Sequence, residues 1–145
     1  MKKKQIPALL LAASLLFSCQ NAATGTGGAK AMPLPVPGTV VASMSTPVNE
    51  DKLNHFSCSV KVVADSNIAA GVYDIDADYG PNFAEGQMTM PKGAGNFRLV
   101  IKNGPVPCSF IIGFKMPDDS TFYDYYEVDC SKTQTRMQYI KAYTF

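Results

Sequence analysis

Apolar and polar residues alternate with a period of two through most of the chain beyond residue 55. Phe56, Cys58, Val60 and Val62 alternate with Ser57, Ser59 and Lys61. Tyr73, Ile75, Ala77 and Tyr79 alternate with Asp74, Asp76 and Asp78. Phe97, Leu99 and Ile101 are interleaved with Arg98 and Lys102, and Phe110, Ile112 and Phe114 share one face of a run ending at Pro117. Segments 121–128 and 136–143 are rich in Tyr, Phe, Val and Ile, which suit a pleated, half-buried surface. Alternation at this period sends one side of an extended segment to the core and the other to water, so each run predicts a strand.

Turn formers separate the runs: Gly80-Pro81-Asn82, Pro91-Lys92-Gly93, Asn103-Gly104-Pro105 and Pro117-Asp118-Asp119-Ser120. Beyond the first 18 residues no window carries a helical period. The pattern predicts an all-β domain over 51–145, a small β-sandwich of six to seven strands. Immunoglobulin-like or transthyretin-like topology is the expectation, with a small barrel as the alternative.

The amino-terminal pattern is different in kind. Lys2, Lys3 and Lys4 precede an apolar run from Ile6 to Phe17, then Ser18 and Cys19. A positive region followed by about a dozen apolar residues is the layout of a signal peptide. The stretch is too short to cross about 30 Å of hydrocarbon as a helix. Leu16-Phe17-Ser18-Cys19 resembles the lipobox of bacterial, Bacteroidota-like outer-membrane lipoproteins, with a small residue before the obligatory cysteine and the bulky Phe17 as a departure. The resemblance implies removal of residues 1–18 and acylation of Cys19 with diacylglycerol and an N-linked chain such as palmitate. Gln20 after the cysteine, with no acid through Thr24, implies export to the outer membrane, facing the periplasm.

From 19 to 50 the composition shifts to Ala, Gly, Thr, Ser and Pro, which predicts a tether rather than a core-forming segment. Gly25, Gly27 and Gly28 favour flexibility, and Pro33, Pro35 and Pro37 favour extended polyproline II. Loss of the first 18 residues removes three of the 13 basic side chains, leaving 10 against 12 acidic ones. That balance offers no basic patch for nucleic acid and no polybasic stretch for anionic lipid.

Candidate chemistry is sparse. His55 is the single histidine, which excludes an HExxH zinc site, and neither a G-x-S-x-G elbow nor a P-loop occurs. The chain therefore reads as a non-enzyme without a cofactor. Asp74, Asp76, Asp78 and Glu85 have spacing that resembles positions 1, 3, 5 and 12 of an EF-hand calcium loop. Tyr79 stands where that loop wants Gly, so the opposing expectation is the wet face of an amphipathic strand. Cys58, Cys108 and Cys130 remain after Cys19. A three-residue loop at 118–120 would place Cys108 opposite Cys130 and predicts their disulfide, with Cys58 a small buried hydrophobe.

Tyr123, Tyr125 and Tyr126 crowd one predicted strand. If Phe122, Tyr126 and Val128 face the core, Tyr123 and Tyr125 face out, with Arg136 and Gln138 as polar neighbours. Outward tyrosines suit a protein partner. Two functions from different classes follow. One is a structural or assembly subunit of an envelope complex, held to the membrane by its lipid. In signal, tether, size and strand count this plan resembles the outer-membrane lipoprotein of type VI secretion membrane complexes. The other is a ligand-binding lipoprotein for carbohydrate or calcium.

Overall fold

The computed structural model describes residues 32–48, 56–92, 96–130 and 134–145. The signal region, Cys19 and His55 lie outside them. Eight strands form two four-stranded antiparallel sheets. The first holds β1 (Val40–Val48), β2 (Phe56–Ala64), β3 (Val72–Tyr79) and β4 (Asn82–Thr89). The second holds β5 (Arg98–Asn103), β6 (Ser109–Lys115), β7 (Tyr123–Cys130) and β8 (Thr135–Tyr139). A short 3-10 turn, Ile68–Ala70, lies between β2 and β3.

The all-β sandwich is as the alternation predicts. The strand order is not. Both sheets run in sequential order, β1-β2-β3-β4 and β5-β6-β7-β8, in place of the immunoglobulin-like or transthyretin-like order expected. Each sheet is a meander of hairpins, and one connection, 90–97, passes between them. Hairpin turns dictate this arrangement. Tyr79 pairs with Asn82 across a two-residue loop, and Gly80 supplies the φ of +54° that a primed turn needs at its first position.

Two strands lay hidden in the sequence. β1 falls inside the segment read as tether, so the domain begins near Val40 and the boundary at 51 is corrected. Its inner positions, Ala42 and Met44, pair with Val62 and Val60, but intervening serines and Pro47 give it the composition of a linker. β4 presents Ala84, Gly86 and Met88 inward, two of them too small to register as apolar. Their size has a purpose: a Cβ on Gly86 would run into the Met137 thioether of β8, so the outer strands of the two sheets meet there.

One core fills the space between the sheets. Cys58, Val60, Val62, Ile75, Ala77 and Met88 from the first face Phe110, Ile112, Phe114, Val128 and Cys130 from the second, all 0–1% exposed. Burying a side chain of this kind is worth about 1.5–3 kcal/mol each in transfer free energy.

The second sheet contains an irregularity that the period-two reading could not see. Ile112 pairs with Tyr126 but the next residue, Gly113, pairs with Asp124, so Tyr125 is an extra residue on β7. Such a bulge reverses the facing of everything beyond it. Tyr126, Val128 and Cys130 point inward on one side of it, and Tyr125 and Tyr123 point inward on the other. Phe122 is instead on the outer face, covering Gly113, with the Lys102 ammonium 3.9 Å from its ring centroid.

Candidate functional site

The sandwich has two unlike poles. At one, the incoming segment 32–39, the 3-10 turn, residues 90–92 and 96–97 of the crossover, and the carboxy-terminal segment 140–145 converge. The Gly38 amide donates to the Ala64 carbonyl at 2.8 Å, and the Met32 amide to Asn96 Oδ1 at 2.7 Å. These bonds hold the incoming segment against the end of the sheets. At the other pole lie the Gly80-Pro81 turn, the β5–β6 loop and the disulfide.

Aromatic rings fill the first pole. Phe114 is fully buried and stacks on Phe97 at 4.4 Å and on Tyr123 at 5.4 Å, while Tyr125, Tyr143 and Phe145 meet it edge-on. Their hydroxyls are tied down. Tyr125 donates to the Thr89 carbonyl at 2.6 Å, and Tyr139 accepts from the Thr89 amide at 2.8 Å, joining the two sheets. Tyr143 donates to Asp124, and Tyr123 to Asp119 at 2.9 Å. The Tyr123 phenol is raised in pKa by its bond to Asp119, whose carboxyl is lowered chiefly by Thr121. Burial raises the Tyr125 phenol.

The partner surface predicted on Tyr123 and Tyr125 is therefore corrected. Tyr125 is 7% exposed and Tyr123 is half-buried, because the bulge turns both to the core. Arg136 and Gln138 do lie on the exposed outer face, where Gln138 donates to Glu127 at 3.0 Å.

The disulfide prediction is corrected as well. Cys108 bonds to Cys58, with a Cα–Cα distance of 5.7 Å, and Cys130 is a buried free thiol. The expected register is present, since the Cys130 amide donates to the Cys108 carbonyl at 3.0 Å. Cys108, however, precedes β6 with a φ of +60°, the single positive value among described non-glycine residues. That left-handed turn takes its side chain out of the strand alternation, and it reaches the other sheet instead. Register alone does not decide side-chain direction at a strand's first residue. Burial pushes the Cys130 thiol up to about 11, with Asp129 adding to the effect, so it is a poor nucleophile.

The calcium-loop residues lie on a hairpin. Asp76 faces Glu85 across β3 and β4, and Asp74 faces Gln87, whose amide donates to it at 3.1 Å. Asp78 accepts from Ser59 at 3.1 Å. Asp74, Asp76 and Asp78 thus follow one another along a solvent-facing strand, the amphipathic alternative. No group of three His, Cys, Asp or Glu side chains among the described residues converges to hold a metal ion.

An open, mainly apolar groove of about 600 Å³ crosses the first pole. The incoming segment, with Met32 and Leu34, makes one wall; Ile68, Met90 and Phe97 contribute to the other. Sequence reading missed it, because it is assembled from a segment taken for linker and from two loops. The one available signal was the alternation of Met32, Leu34 and Val36 with Pro33, Pro35 and Pro37. No described helix is long and apolar enough to cross a membrane. Comparison with protein-family models, curated proteins and solved structures finds no match for the chain.

Proposed function

We propose that the chain is a non-enzymatic, lipid-anchored β-sandwich that serves as a structural or assembly subunit of an envelope complex at the outer membrane. The domain faces the periplasm on this reading, and the membrane complex of a secretion system is one such assembly. The observation that carries the proposal is the polarity of the domain. One pole receives the segment leading back towards Cys19. The opposite pole is closed by the Cys58–Cys108 bond and presents Phe56, Phe83 and Val106, which are 41, 56 and 50% exposed. Where the disulfide fixes the backbone, isolated apolar side chains are suited to a protein partner, since less ordering entropy is lost on contact.

The carbohydrate and calcium alternatives gain less support. The tyrosine rings pack against one another instead of offering an open stacking face, and the carboxylates are spread along a strand. The test is cross-linking and capture from membranes, wild type against Phe83→Glu with Val106→Glu, with thermal melts as control. Loss of a specific partner at unchanged melting temperature supports the assembly role. Equal recovery of every partner refutes the assigned pole. Retention of Cys19→Ala in the membrane fraction refutes the lipid anchor.

A further inference from the structure

Exposed apolar side chains are distributed unequally between the poles. Met32, Leu34, Val36, Val40, Tyr139 and Phe145 are 47–71% exposed, and all belong to the pole where the chain enters. Among the described residues, three large apolar side chains are exposed at the other. Leu34 and Val36, at 61 and 71%, are among the most solvated. Their segment is nevertheless fixed to the domain by the Met32 and Gly38 amides, and the Thr39 amide donates to the Val36 carbonyl at 3.1 Å. Exposed apolar residues on an anchored segment are not a consequence of local disorder. Met32 and Leu34 line the groove, and Tyr139 and Phe145 lie at the same pole at the end of the second sheet.

The path of the chain says what covers these side chains. Twelve residues, 20–31, separate Cys19 from Met32. They reach at most about 40 Å when fully stretched and roughly 20 Å as a random coil. A lipid on Cys19 would therefore hold this pole close to the bilayer at a high effective concentration, so that weak apolar contacts suffice to seat it. We propose that the entry pole is a bilayer-contact face, on which Met32, Leu34 and Val36, flanked by Tyr139 and Phe145, enter the boundary between headgroups and acyl chains. The inference rests on the reading that Cys19 is acylated.

Aromatic residues with a polar tip and long apolar side chains suit that boundary. Charge does not contribute a preference. Lys141 is paired with Asp124 at 2.7 Å, and among the described residues of this pole Lys92, Arg98 and Lys115 are matched in number by Asp65, Asp118 and Asp119. Contact is thus apolar and insensitive to salt, and zwitterionic lipid is the appropriate surface. Seating this pole turns the disulfide-closed pole, with Phe83, away from the membrane.

The experiment uses the acylated full-length mature protein in phosphatidylcholine vesicles containing a lipid with a photoactivatable group in its acyl chain. Labelled peptides are read by mass spectrometry. Peptides carrying Met32 to Val36 and Tyr139 to Phe145 should be labelled several-fold more than the peptide carrying Phe83, an equally exposed internal control. Leu34→Glu with Val36→Glu should reduce labelling of the entry segment to the Phe83 level with no change in melting. Equal labelling at both poles, or undiminished labelling in the variant, overturns the proposal. Protection of the entry segment only when an envelope protein is added would assign these side chains to that protein and also overturn the proposal. Intact mass on the same sample reports acylation independently. An unacylated chain that still floats with vesicles and labels through the entry segment would refute the anchor and leave the contact face standing.

Discussion

The two sheets solve the same packing problem with different side chains. The first lines the core with Val60, Val62, Ile75 and Ala77, and its central register runs without interruption from Cys58 opposite Tyr79 to Ala64 opposite Tyr73. The second lines it with Phe110, Phe114, Tyr125 and Tyr126, and its central register slips by one residue at Tyr125. Small β-branched residues fill a flat layer when every second side chain points in. Bulky rings do not, and an extra residue re-aims two neighbouring tyrosines into a space that alternation would have left to one. The aromatic sheet thus gains interior volume at the expense of regularity.

Truncation should make this contrast measurable. Phe114→Ala removes the ring that five others surround and should cost about 3–5 kcal/mol. Val62→Ala, in the regular sheet, should cost about 2 kcal/mol. Urea titration with an unchanged slope checks both, and equal losses would mean that the aromatic cluster is not the centre of stability. The covalent link comes next. Cys58→Ala opens a bond joining residues 50 apart and should destabilise the domain by about 2–4 kcal/mol, chiefly through the unfolded chain. Peptide mapping should find the Cys58–Cys108 link in the wild type and Cys130 unmodified until denaturant is added.

A smaller effect tests the bulge itself. A Cβ on Gly113 would meet the Tyr123 carbonyl oxygen and the Phe122 ring, and the backbone atom cannot swing away. Gly113→Ala should cost about 1–3 kcal/mol as overpacking. A neutral outcome in the same urea titration would mean that β6 and β7 are not held in this register. The smallest effect belongs to the outer face. The Lys141 ammonium holds the Asp124 carboxyl below its ordinary range, so the pair stabilises the fold above the unfolded carboxylate value, near pH 4. That stability is lost as pH falls through the lower folded value. Both groups are well exposed, so the expected size is a few tenths of a kcal/mol. Asp124→Asn should flatten the acid limb of the stability–pH curve by that amount.

Alternation was legible wherever the inward positions were large. It placed β2, β3, β5, β6 and β7 within a few residues. It failed for β4, whose inward face includes Ala84 and Gly86, and for β1, where serines and Pro47 resemble a linker. The facing of Tyr123 and Tyr125 was illegible for a different reason. A bulge adds a residue without leaving a mark on composition, and parity counted through it inverts. The register that sets Cys108 opposite Cys130 came out correctly through compensating errors. The β6–β7 turn is one residue out of the expected step, with Phe114 opposite Tyr123, and the bulge restores the expected pairing farther along. The groove left no signal beyond the alternation of Met32, Leu34 and Val36 with prolines, because its walls are far apart in sequence and meet only in the fold.

The sequential strand order has a kinetic consequence. Every hydrogen-bonded strand neighbour is also a neighbour along the chain, so each sheet can zip from its hairpin turns with little loop-closure entropy to overcome. Single hairpins form in about 1–10 μs. Proteins dominated by such local pairing fold faster than sandwiches whose strands exchange between sheets. The non-local events are the docking of two finished meanders and the oxidation of Cys58 with Cys108. A chain emerging amino end first can complete the first sheet before any strand of the second is needed, and the aromatic residues that close the core arrive last.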